Sequence, residues 1–130
     1  MYGRHIVNVS ELKGKTLVRI ENSEDNELYF YTADGDTYKM YHEQDCCEDV
    51  HLEEIIGDLG DLVGEPILMA EEVTNCNRND DCDWSETWTF YKLATVKGYV
   101  TLRWHGTSNG FYSEAIDFVM LPREESSDND

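Results

Sequence analysis

The sequence predicts a mainly β domain of the α+β type: an antiparallel sheet, or a small sandwich or barrel, of about six to eight strands with one short helix. Three observations carry that expectation. Runs rich in β-branched and aromatic residues alternate apolar and polar with period two, as half-buried strands do. Gly-containing turn signals separate the runs. Helical apolar spacing occurs in a single stretch.

The elements follow in chain order. Residues 16–20 form the first β-branched run. Residues 28–32 and 37–41 are joined through Asp34-Gly35, and Gly accepts the positive φ that a tight hairpin needs. Leu52, Ile55, Ile56, Leu59, Leu62 and Val63 then have helical spacing, but Gly57, Gly60 and Gly64 would each cost about 1 kcal/mol inside a helix. One short, broken helix is therefore expected there. Pro66 stops it, and residues 67–73 resume as strand. A second meander runs through residues 87–92, a Lys97-Gly98 turn, residues 99–104, a Ser108-Asn109-Gly110 turn and residues 111–120. Residues 1–123 are expected to form one domain, and the acidic residues 124–130 a frayed tail.

Charge is the most informative feature of the composition. The 130 residues include 28 Asp or Glu against 10 Lys or Arg, a formal net charge of -18. Between residues 21 and 86 there are 21 acidic residues against two basic ones, Lys39 and Arg78. Glu43, Asp45, Glu48, Asp49, Glu53, Glu54, Asp58, Asp61 and Glu65 fall where no Lys or Arg intervenes. Local ion pairing cannot neutralise such a run. Direct nucleic-acid binding and docking on anionic lipid both need cationic groups, so both are disfavoured. No apolar run approaches the ~20 residues of a membrane helix, and the first residues lack a signal peptide's apolar stretch. A cytoplasmic location is expected.

Candidate chemistry is sparse. Cys46, Cys47, Cys76 and Cys82 are thiols in a chain without a secretion signal, which disfavours a disulfide framework. His42, Cys46, Cys76 and Cys82 together would offer zinc its preferred donors, but neither cysteine pair has the spacing of a zinc knuckle. A Cys46 nucleophile is opposed by its carboxylate neighbours, which raise a thiol's pKa. Asn75, Asn77, Asn79, Asp81, Asp83 and Glu86 match the ligand positions of a twelve-residue calcium loop, yet Asn75 stands where its first Asp belongs and Asp80 where that loop needs Gly. No nucleophile triad, phosphate-cradling loop or dinucleotide fingerprint is present. No cofactor is expected. The aromatic residues of the strands read chiefly as sheet core, although Arg103, Trp104, Asn109 and Tyr112 near the last turn could hold a small nucleotide.

The run Tyr41-His42-Glu43-Gln44-Asp45-Cys46-Cys47-Glu48, the segment Gly98-Tyr99-Val100-Thr101-Leu102-Arg103-Trp104 and the stretches around Ile56-Gly57-Asp58 and Ser108-Asn109-Gly110 resemble a family of small uncharacterised phage and prophage proteins. The similarity spans about residues 10 to 119. It implies a phage gene product acting in a bacterial cytoplasm, and it carries no catalytic role.

Charge density suggests what such a protein does. A 130-residue globule is about 36 Å across. Its net charge then amounts to about one per 2 Å, against one per ~1.7 Å along duplex DNA. The expected function is non-enzymatic inhibition of a host defence protein, of the anti-CRISPR or anti-restriction kind, by an acidic DNA mimic. Its partner would be a host nucleic-acid-binding protein, docked on the nine acids from Glu43 to Glu65. The alternatives are a nucleotide-signal sponge using Arg103, Trp104, Asn109 and Tyr112, and a metal-dependent enzyme.

Overall fold

The computed structural model describes residues 5–23, 26–42, 48–79, 84–108 and 116–121. The fold is mostly β, with two antiparallel sheets that do not close into a barrel. The strands are β1 (His5–Ile6), β2 (Leu17–Ser23), β3 (Glu27–Thr32), β4 (Thr37–Tyr41), β5 (Asp49–Ile56), β6 (Met69–Asn79), β7 (Trp84–Thr95), β8 (Gly98–Ser108) and β9 (Asp117–Leu121). Apart from the two-residue edge strand β1, this is the all-antiparallel architecture that the alternation predicts. Two single 3-10 turns, η1 (Val9–Leu12) and η2 (Leu59–Leu62), are the helical elements among the described residues. No helix among them is long and apolar enough to cross a membrane.

One sheet has the order β1-β9-β4-β3-β2 and the other β5-β8-β7-β6. The hairpin between β3 and β4 turns where Asp34-Gly35 predicts. Gly35 has φ +96°, and Thr32 Oγ1 accepts from the Asp36 amide at 3.0 Å. The first two strands of the second meander keep an unbroken register from Ser85↔Ser108 to Thr95↔Gly98, but the third strand expected after them, here β9, joins the other sheet between β1 and β4. The two sheets share one core. Leu28, Phe30, Tyr38, Met40 and Phe118 come from the first, and Tyr91, Leu93, Val100, Leu102 and Trp104 from the second. Val9 and Leu12 of η1 and Leu62 of η2 complete it.

Of the short, broken helix expected within residues 52–63, one 3-10 turn forms. Strand β5 takes Leu52, Ile55 and Ile56, and only η2 is helical. Asp58 caps that turn, its Oδ1 accepting from the Gly60 amide at 2.9 Å. The strand expected at residues 67–73 starts later, at Met69, because residues 64–67 are bonded to the segment leading into β2. The Gly64 amide donates to Leu17 O, and the Ile67 amide to Lys15 O, both at 2.8 Å.

Two core tyrosines give the fold an alkaline limit. Burial pushes the Tyr91 hydroxyl far above its ordinary 10.0, and the charge and hydrogen bond of Glu72 on neighbouring β6 add to the rise. Burial also raises Tyr38, against the opposing charge of Lys15. A raised folded pKa contributes stability that is complete below the unfolded value and is lost as pH climbs above it. We expect the chain to unfold progressively above about pH 10, with these two hydroxyls ionising together with unfolding. Circular dichroism and tyrosinate absorbance followed against pH test this. Tyr91→Phe should move the midpoint to higher pH at a cost near neutrality of about 1 kcal/mol.

Candidate functional site

The four-stranded sheet gives one face to the core and the other to solvent, and period two sorts its side chains. On β8, Val100, Leu102 and Trp104 are buried, so Thr101, Arg103, His105 and Thr107 stand on the outer face. On β7, Thr87, Thr89, Tyr91 and Leu93 are buried, which turns Glu86, Trp88, Phe90 and Lys92 outward. Register aligns these residues in rows across the sheet. Asn75, Trp88, His105 and His51 form one row, and Val73, Phe90, Arg103 and Glu54 the next.

A bulge in β5 changes what this face receives. The register shifts between Leu52, opposite Trp104, and Glu54, opposite Arg103, which leaves Glu53 as the extra residue. Val50, Leu52 and Ile55 all pack on the core. The bulge therefore sends two consecutive carboxylates outward instead of one. Arg103 takes both, donating from Nε to Glu53 Oε1 at 3.0 Å and from Nη1 to Glu54 Oε1 at 3.3 Å. The two carboxylates are more than a third exposed, so the pairs add little to stability. Leu52 is tied to the first sheet by its amide, which donates to Asn26 Oδ1 at 3.2 Å.

Beside this bulge, His105 Nε2 donates to Glu86 Oε2 at 2.5 Å. Its ring lies 5.0 Å from Trp88 and 5.7 Å from His51, centroid to centroid. His51, Glu53 and His105 each offer one donor atom, and these atoms lie within 4.8 Å of one another.

A family model described as a domain of unknown function, DUF7448, matches residues 10–118. The chain belongs to the DUF7448 family. The matched span includes the whole outer face of the four-stranded sheet of this DUF7448 chain. No curated protein and no solved structure matches it.

The acids expected to meet a partner divide in the DUF7448 chain. Asp49, Glu53 and Glu54 are exposed on β5, which pairs with β8 at one edge of its sheet, and Asp58 is exposed just beyond it. Asp61 and Glu65 are half-buried at and after η2. Glu48 does not belong to this surface. Its carboxylate is fully buried and lies 2.8 Å from His42 Nε2, so it presents no charge outward. Glu43 and Asp45 lie outside the described residues.

The other two expected sets do not assemble among the described residues. Arg103 and Trp104 are adjacent on β8 and therefore point to opposite faces. Trp104 is 1% exposed in the core, so it cannot share a surface pocket with Arg103. Asn109 and Tyr112 lie outside the described residues, as do Cys46 and Cys82. The His42 ring is buried against Glu48, and Cys76 stands in β6 opposite Thr87. The cluster of His51, Glu53 and His105 has no signature in the sequence. His105 is far along the chain from the other two, and only the β5–β8 register and the bulge bring the three together.

Proposed function

We infer that this DUF7448 chain acts by binding, presenting the acidic edge strand β5 and the acids that follow it to a cationic nucleic-acid-binding channel of a host defence protein. The observation that supports the reading is the exposed acidic run of the edge strand β5, where Asp49, Glu53 and Glu54 stand against Arg103 and Asp58 follows. Asp61 and Glu65 continue the run away from that edge, past the β7–β8 turn where Lys97 Nζ reaches Gly60 O, toward the start of β2. An eight-residue strand spans about 26 Å. That length covers several phosphates of a duplex, so the edge can occupy a groove built for a phosphate backbone. Opposite charge steers the encounter and makes it fast and salt-sensitive. The fold supplies rigidity, because every carboxylate on β5 is carried by a strand hydrogen-bonded to β8.

The test is competition. Affinity capture from a bacterial lysate at low and high salt should yield a nucleic-acid enzyme released by salt. Adding the chain should then lower that enzyme's duplex binding, and about 0.5 M salt should reverse the effect, where charges are screened within about 4 Å. Reversing Asp49, Glu54, Asp61 and Glu65 to Lys should weaken inhibition by at least about tenfold. These four are neither the η2 cap nor buried, so the fold should tolerate the changes. Inhibition that survives the fourfold reversal refutes the reading.

A further inference from the structure

We propose that the outer face of the four-stranded sheet holds a divalent transition-metal site, of the zinc class, with His51, Glu53 and His105 as its protein ligands. Two imidazoles and one carboxylate are a donor set that suits zinc and leaves a coordination position open. Their donor atoms already lie within 4.8 Å of one another. Tetrahedral ligands on bonds of ~2.1 Å stand about 3.4 Å apart. The remaining closure falls within the rotamer freedom of Glu53, which is exposed, and of the two half-buried rings.

Four features of the surroundings favour a cation over an accidental cluster. His51 and His105 are directly opposed across the β5–β8 ladder, so the backbone register sets their separation. The bulge places Glu53 on their face. Glu86 lies 2.5 Å from His105 Nε2, and in the neutral tautomer that donates there Nδ1 keeps its lone pair for a metal. A carboxylate holding the far nitrogen of a ligating histidine is the usual support of a metal-bound imidazole. Trp88 packs on the same ring and restrains it. Electrostatics agrees. Asp49 lies 3.7 Å from His51 Nδ1, so Asp49, Glu53, Glu54 and Glu86 surround the donors, opposed by the guanidinium of Arg103. Arg103 Nε engages Glu53 Oε1, which leaves the second carboxylate oxygen for the metal.

The inference does not depend on the proposed partner, although Glu53 as a ligand and Asp49, Glu54 and Arg103 as neighbours belong to both surfaces. The experiment is a calorimetric titration of the metal-stripped full chain with Zn²⁺, in which Mg²⁺ should neither bind nor compete. The four cysteines are an alternative home for zinc, so the titration is repeated with Cys46, Cys47, Cys76 and Cys82 replaced by Ser. One-to-one binding that persists in that chain, and that falls at least about tenfold in His51→Ala and in His105→Ala, is the expected result. Glu86→Gln should weaken zinc about tenfold or more while leaving the stoichiometry unchanged, as a residue that positions His105 would. If the cysteine-free chain does not fold, Co²⁺ added to the unaltered chain decides the matter. A weak visible spectrum without sulfur-to-metal charge transfer, lost in His51→Ala, supports the site. Strong sulfur charge transfer, absence of any zinc binding, or affinity unchanged in both histidine variants overturns it.

Discussion

Replacing Glu48 by alanine is expected to lower the unfolding free energy by about 2–3 kcal/mol, the cost of stripping a buried imidazole of a hydrogen-bond partner. The Glu48 side chain is 0% exposed and that of His42 is 5% exposed, with 2.8 Å between Oε2 and Nε2. Solvent cannot replace a partner removed from such a site, so the surviving group keeps its desolvation cost. Position adds to the effect. His42 follows the last residue of β4 in the five-stranded sheet, and Glu48 precedes the first residue of β5 in the four-stranded one. The pair ties the end of β4 to the start of β5. Glu48→Gln keeps an acceptor for the imidazole N–H and should cost about 1–2 kcal/mol. Urea midpoints at constant m-value measure both changes. A loss below about 1 kcal/mol for Glu48→Ala would show that the pair is structurally idle.

Glu48 also marks what the sequence can and cannot reveal. As a letter it is one acid in a run of nine candidates, and nothing local separates it from Asp49 or Glu53. Burial against His42 depends on the path of the chain between two sheets, which no periodicity encodes. The strands themselves are legible because β3, β4, β7 and β8 satisfy three levels at once. Alternation, β-branched or aromatic content and a Gly-containing turn all agree at residues 28–41 and 87–104.

Residues 52–63 mimic a helix for a physical reason. In β5 the bulge at Glu53 separates the core-facing Leu52 and Ile55 by three positions, which is the spacing of a helix face. Leu59 and Leu62 have the same spacing because they belong to one 3-10 turn, where side chains three apart align. A bulged strand followed by a 3-10 turn thus carries the apolar signature of a broken helix. The same bulge hides the His51, Glu53 and His105 cluster, since a helix over 52–63 would separate Glu53 from any strand. Arg103 and Trp104 illustrate the opposite error. Adjacency in sequence groups them as one ligand site, yet residues 99–104 already read as a strand, and adjacent strand residues take opposite faces.

Gly57→Ala is expected to cost about 3 kcal/mol or more, from backbone strain and collision together. Gly57 ends the excursion of β5 with φ +109°, a conformation unfavourable for any residue bearing a Cβ. A Cβ there would also sit 2.5 Å from the Tyr99 carbonyl oxygen and 3.3 Å from Val100 Cα. Those atoms belong to β8, where Tyr99 and Val100 pair with Ala94 and Leu93 of β7, so the obstacle is backbone that cannot swing aside. Gly14→Ala separates the two contributions. Gly14 has φ +89°, but a Cβ there would meet nothing within 4 Å, so it should show the strain alone, about 1–2 kcal/mol. If the two variants lose equal stability in urea unfolding, the close approach of β5 to β8 contributes nothing. If Gly57→Ala loses clearly more, the tight exit from β5 is what carries the acidic edge from Glu54 round to Asp58 and Asp61. The salt-sensitive inhibition proposed for that run should then weaken together with the local fold.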